Sequence, residues 1–144
     1  LTCIVWDGQT LAADKLACFG DLKRTVTKIV KRNGCLLAYA GIASIGEHLA
    51  DWWASGRKID KWPNEFQKDE NMQTTLWVIY PDKTVHCYEC TPFPIKVEDP
   101  WFAAGSGRDF AVGAMAMGAD AKRAVEIAAT HCISVGGGID TLTL

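Results

Sequence analysis

The chain has 144 residues, 49% of them hydrophobic, and a formal net charge of −2. That is one domain's length, residues 1–144, with enough apolar content for a core, and its charge argues against a polybasic surface for nucleic acid or an anionic membrane. No apolar run approaches the roughly 20 residues that span a bilayer, and no charged segment followed by an apolar one marks a secretory signal.

The first element is a strand over TCIVWD, followed by the turn signal Asp7-Gly8 and a second strand, TLAAD. This is a hairpin pattern. TVTKIVK alternates and is rich in β-branched residues, so it reads as one strand. Asn33-Gly34 turns it into the apolar strand CLLAYAG. Beyond Gly41, residues Ile42, Ile45, Leu49, Trp52 and Trp53 fall at helical spacing, which predicts a helix ending near Gly56. KIDKWPNEFQKDENMQ is polar and reads as a mobile surface connection.

TLWVIY and TVHCYEC flank Pro81-Asp82-Lys83 as another hairpin. TPFPIKVEDP carries three prolines and is confined to an edge strand or loop. WFAAGSG reads as a strand running into a glycine turn. DFAVGAMAMG, small and apolar, reads as a buried helix ended by Gly118. Asp120 is a good N-cap for a further helix, with Ala121, Ala124, Val125 and Ala128 on its apolar face. SVGGGIDTLTL is a glycine turn into a last strand. Strands, helix, strands, two helices and a strand predict an α+β layered domain.

The six cysteines are scattered and read as reduced thiols of a cytoplasmic protein. Cys87 and Cys90 form the one C-x-x-C. On a strand they face opposite sides, and no second pair completes a zinc site. GSGRDF lacks the following residues of a phosphate loop and does not fit a dinucleotide fingerprint. No cofactor or metal is expected.

An ordered set of residues carries the chemistry. Thr2 stands one step from the chain end, and its hydroxyl lies within reach of its own nitrogen. A threonine that is the true first residue can use its α-amine as the base for its hydroxyl; otherwise Thr2 is a strand residue. Asp14 in LAADK is a turn cap or a charge partner. Lys28 in TKIVK is an exposed lysine or an inward one. Gly41 leads into a helix, Ser106 in GSG can cap the following helix, and Ser134 precedes the last glycine run.

Thr2, Asp14, Lys28, Gly41 and Ser106 in this order, with GSGRDFAVGAMAMGADAKRAVEIAA, resemble the proteasome β-subunit family of N-terminal nucleophile (Ntn) hydrolases. The HslV-like peptidases belong to that family. The resemblance covers nearly the whole chain and is nearest to short proteasome-like proteins of bacteria and their phages. It implies a four-layer αββα sandwich and a threonine peptidase or amidohydrolase. Thr2 would be the nucleophile, and Lys28, paired with Asp14, would stand beside it. The Gly41 N–H would serve the oxyanion hole, and Ser106 would bond near the threonine amine. It further implies a peptide or protein substrate and a self-compartmentalising homo-oligomeric ring. Trp52, Trp53 and Trp62 are candidates for that ring's exposed apolar patches. An ATPase unfoldase is a further partner the resemblance allows.

Two positions depart from the pattern. The family places an aspartate shortly before the last glycines, with a hydroxyl behind it. Here HCISVGGG offers Cys132 and Val135, or His131 and Ser134, and no carboxylate. Leu1 also precedes Thr2, so the Thr2 nitrogen is an amide. A literal reading of a start codon, autocatalytic removal, and an inactive scaffold or interaction protein are the three accounts of that leucine.

Overall fold

The computed structural model describes residues 1–144. It contains eleven strands and four α-helices, divided into two compact units. The chain is α+β, as its element order implies. No helix is long and apolar enough to cross a membrane.

The first unit holds residues 1–30 and 99–144. Its sheet contains β1 (Ile4–Trp6), β2 (Thr10–Asp14), β10 (Phe102–Ala104) and β11 (Ile139–Thr143), in the order β10-β1-β2-β11. All three pairings are antiparallel. The β1–β2 hairpin turns at Asp7-Gly8, where the Asp7 carboxylate accepts the N–H groups of Gln9 and Thr10. Helices α3 (Arg108–Ala116) and α4 (Ala121–His131) cover one face of this sheet. Their contact is made by small side chains. Ala111, Ala121, Ala124, Val125 and Ala128 close on Cys3, Val5 and Ala12. Methyl-sized groups let helix and sheet approach without voids. Asp120 caps α4 by accepting the Arg123 N–H at 2.8 Å, as its position predicts.

Two expectations change here, and one strand is added. The stretch TVTKIVK is two strands, not one: β4 (Leu22–Thr25) and β5 (Ile29–Arg32) are separated at residues 26–28. The Val26 N–H donates to the Lys15 carbonyl at the break, and Lys28 is carried inward. A short strand, β3 (Leu16–Phe19), pairs with β4 through Gly20-Asp21; its exposed end lacks the alternation that would announce it. Helix α3 is not a buried helix. Only Ala111 is buried, while Phe110, Val112 and Met117 are exposed. An all-apolar helix has no polar face from which its outside can be read.

The second unit holds residues 31–98. Strands β6 (Cys35–Ala40), β7 (Thr75–Ile79), β8 (Val85–Tyr88) and β9 (Ile95–Val97) follow β5 in an antiparallel five-stranded sheet, with the proline-flanked β9 at an edge. Helix α1 (Ala43–Ala54) packs on β6 and β7. Cys87 is buried and Cys90 exposed. The polar segment after α1 is anchored, not free. It holds a 3₁₀ turn, Ile59–Lys61, and α2 (Asn64–Gln67). Gln67 is buried, accepts the Thr74 N–H and donates to the carbonyls of Thr74 and Glu89. Trp52, Trp53 and Trp62 are all buried, so they are not the exposed patches expected of them. Trp52 meets Trp62 edge-on at 4.7 Å and Tyr88 at 5.3 Å. Edge-to-face aromatic packing of this kind closes a core as readily as an interface.

Candidate active site

Sheet register assembles the site. β1 pairs β10 with Ile4 opposite Ala104, so continuing the antiparallel ladder by two residues sets Thr2 opposite Ser106. The β1–β2 ladder sets Ile4 opposite Ala13, so its next step puts Cys3 opposite Asp14. Both extensions are realised. The Thr2 N–H donates to Ser106 Oγ at 3.0 Å, and Ser106 Oγ donates back to the Thr2 carbonyl at 3.3 Å. The Gly107 N–H also donates to that carbonyl, at 3.1 Å. On the other side, the Asp14 N–H donates to the Cys3 carbonyl and the Cys3 N–H to Asp14 Oδ1, at 3.1 and 2.9 Å.

Asp14 is fully buried and is the hub of this end of the sheet. Besides Cys3, its carboxylate accepts the N–H groups of Leu16 at 3.3 Å and Gly136 at 3.1 Å, and Lys28 Nζ at 2.8 Å. Three backbone donors and an ammonium satisfy the lone pairs of a charge that would otherwise be costly to bury. Lys28 is 4% exposed and also donates to the Leu1 carbonyl at 3.0 Å. Burial pulls its pKa below the ordinary lysine range, against the opposing pull of Asp14. The Thr2 hydroxyl donates to the same Leu1 oxygen at 2.7 Å. Burial, reinforced by Asp14, pushes the neighbouring Cys3 thiol up to about 12 and keeps it neutral.

Ser106 is not the cap of α3. Gly107 occupies that position, with no side-chain cap, and the Ser106 hydroxyl serves Thr2 instead. Ser134 Oγ donates to Ser106 Oγ at 3.2 Å, and Cys132 Sγ lies 3.2 Å from Ser134 Oγ. His131 stands apart, exposed and stacked on Phe110 at 5.9 Å. Thus Thr2, Asp14, Lys28 and Ser106 come together, with Cys132 and Ser134 beside them. Gly41 belongs to the second unit. It has φ +129°, and a Cβ there would fall 2.7 Å from Thr74 Oγ1, so the position requires glycine on local grounds. Sequence reasoning missed the amides of Gly107 and Gly136. The glycine run 136–138 was the available signal, since backbone donors need close approach.

Gly105 fixes the approach of Thr2. It has φ +89°, and a Cβ would collide with the Thr2 carbonyl oxygen. Gly105→Ala is expected to cost about 2–4 kcal/mol through strain and overlap. Urea unfolding reads this directly; a midpoint equal to that of the parent protein would contradict it.

No protein-family model and no curated protein sequence matches this sequence. Solved structures do match. BPH from Thiobacillus denitrificans superposes with a TM-score of 0.73 at 21% identity, over 99% of this chain and 96% of that one. The same protein in complex with epoxomicin gives 0.71 at 20%, over 99% and 97%. Eukaryotic HslV from Trypanosoma brucei gives 0.70 at 20%, over 99% and 98%. By fold, therefore, this α+β chain stands with BPH and HslV.

Proposed function

We propose that the protein is a threonine peptidase or amidohydrolase whose nucleophile is Thr2. The observation that carries this reading is the convergence of the buried Asp14–Lys28 pair and Ser106 on Thr2. Removal of Leu1 converts the Thr2 amide into an amine. That amine then takes the hydroxyl proton as Oγ1 attacks a substrate carbonyl. The tetrahedral oxyanion forms near the positive charge of Lys28, whose ammonium is already aimed at a carbonyl oxygen, that of Leu1. Collapse of the intermediate breaks the scissile C–N bond, and the leaving nitrogen takes the proton from the Thr2 ammonium. Water then hydrolyses the ester on Oγ1 and restores the hydroxyl. The role of the Gly41 N–H as oxyanion donor rests on the resemblance alone, as does an ATPase unfoldase partner.

The reading extends to a cytoplasmic, ring-forming protein whose units act as one domain. Phe110 and Val112 on α3, with Met117 at its C-cap, replace the tryptophans as exposed apolar residues available for assembly. A catalytically silent scaffold is the second reading, and the observation that favours it is the Cys132–Ser134 pair in place of a carboxylate.

Epoxomicin, the compound held by the BPH neighbour, tests the two readings. A chain beginning at Thr2 is expected to gain the inhibitor's mass, mapped to Thr2 by peptide mass spectrometry. The same chain with Leu1 retained is expected to gain none. Absence of labelling in both forms would favour the scaffold.

A further inference from the structure

The direction of the hydrogen bonds behind Thr2 follows from counting hydrogens. A hydroxyl has one hydrogen and two acceptor sites. Ser106 uses all three: it accepts from the Thr2 nitrogen and from Ser134 Oγ, and it donates to the Thr2 carbonyl. The single hydrogen of Ser134 is therefore committed to Ser106. Only the lone pairs of Ser134 remain for Cys132, 3.2 Å away, so the thiol must be the donor. A neutral chain results, running from the Cys132 S–H through the Ser134 and Ser106 hydroxyls to the Thr2 carbonyl. The Thr2 nitrogen feeds into it at Ser106.

We propose that Cys132 is a positioning residue for the Thr2 nitrogen, acting as the terminal donor of a charge-free thiol–hydroxyl relay through Ser134 and Ser106. A carboxylate at position 132 would act in the opposite sense. It can only accept, so Ser134 would turn its hydrogen toward it, and Ser106 would lose a donor and could release the Thr2 carbonyl. The thiol thus fixes the orientation of Ser106 without placing a negative charge behind the amine. A negative charge there would favour the ammonium, which is no base. The other titratable or charged groups around the relay are Asp14 and Lys28, bonded to each other, and Lys23, Arg24 and His131. The last three line, with Cys132, an open cleft of about 600 Å³. Cys3 packs against Cys132 and is neutral.

The proposal's kinetic role rests on the nucleophile reading above, whereas the relay itself does not, and the two are separable by experiment. In the chain as it stands, the S–H stretching band lost on Cys132→Ala identifies that thiol in the infrared. It is expected at the low-frequency, hydrogen-bonded end of the S–H region and to move up on Ser134→Ala. A band unmoved by Ser134→Ala overturns the relay, whatever the enzyme does. In the chain beginning at Thr2, Cys132→Ala is expected to lower kcat about tenfold with KM unchanged. Cys132→Ser, which keeps a donor, is expected to restore most of it. Cys132→Asp is expected to raise the pH of the acid limb of kcat/KM by up to about one unit. Unchanged kcat in Cys132→Ala, or an acid limb unmoved in Cys132→Asp, overturns the positioning role. Absence of any Thr2-dependent hydrolysis would instead sink the nucleophile reading, with the infrared result still deciding the relay.

Discussion

Thr2→Ala, in the chain beginning at that residue, is expected to reduce peptide hydrolysis by about 10⁴-fold or more, to the uncatalysed background. Loss of a covalent nucleophile is of that order because no remaining group can form the acyl intermediate. The structure separates this from a folding effect. The Thr2 backbone makes the bonds that seat the residue, to Ser106 and Gly107. The side-chain oxygen bonds only to the Leu1 carbonyl, which a chain beginning at Thr2 lacks. Deleting the hydroxyl and methyl therefore costs about 1 kcal/mol of stability, and the thermal midpoint should stay within a few degrees of the parent. Thr2→Ser keeps the hydroxyl and is expected to retain a measurable fraction of kcat. The check is turnover of a fluorogenic peptide alongside a thermal melt. Activity above a tenth of the parent level in a well-folded Thr2→Ala protein would exclude Thr2 as nucleophile.

The same contrast between backbone and side chain explains which parts of this molecule were legible in its sequence. The β1–β2 hairpin was readable because Asp7-Gly8 is a local signal flanked by alternation, and α4 because Asp120 caps a clean amphipathic pattern. Thr2, Asp14, Lys28 and Ser106 were readable as an ordered set; the register of β10-β1-β2 brings Thr2, Asp14 and Ser106 together, and Lys28 joins them through Asp14. What was not readable depends on tertiary context. The break at residues 26–28 is made by a hydrogen bond to Lys15, a non-local partner. The burial of Trp52 and Trp62 depends on each other's rings and on Tyr88, and that of Trp53 on Tyr80; the same side chains would suit an interface equally well. His131 stood beside Cys132 as an alternative for the absent carboxylate. The end of α4 turns it toward Phe110 and leaves Cys132, a residue usually read as a small hydrophobe, in the hydrogen-bonded position.

The Asp14–Lys28 pair is expected to give the largest stability effects in the molecule, and to give them unequally. Asp14→Ala removes the acceptor of three backbone N–H groups and leaves an ammonium 4% exposed, with the Leu1 carbonyl as its one remaining partner in the site. A buried charge stripped of its partner costs about 3–5 kcal/mol, and the orphaned donors put this variant at the upper end. Lys28→Met leaves the carboxylate with its three N–H donors and fills much of the vacated volume with apolar atoms, so about 3 kcal/mol is expected. The double variant Asp14→Ala/Lys28→Met should lose less than the sum, because neither charge is then left alone. The pH dependence has a definite sign. The folded-state pKa of Lys28 lies below its unfolded value. Between the two, the unfolded chain holds more protons, and unfolding free energy rises with pH. Below the folded value, burial of the ammonium weighs on the fold in full; toward pH 10.5, the unperturbed lysine value, that cost is relieved. The stability difference between the parent and Lys28→Met should therefore shift in favour of the parent as pH is raised from neutrality toward that value. Guanidinium unfolding at several pH values measures it, and a difference that falls with pH over that range would mean that Asp14, not burial, dominates the lysine. Catalysis should follow the charge and not the stability. Lys28→Met removes the cation beside the developing oxyanion and is expected to lower kcat by about 10²–10³-fold even under conditions where the variant is fully folded.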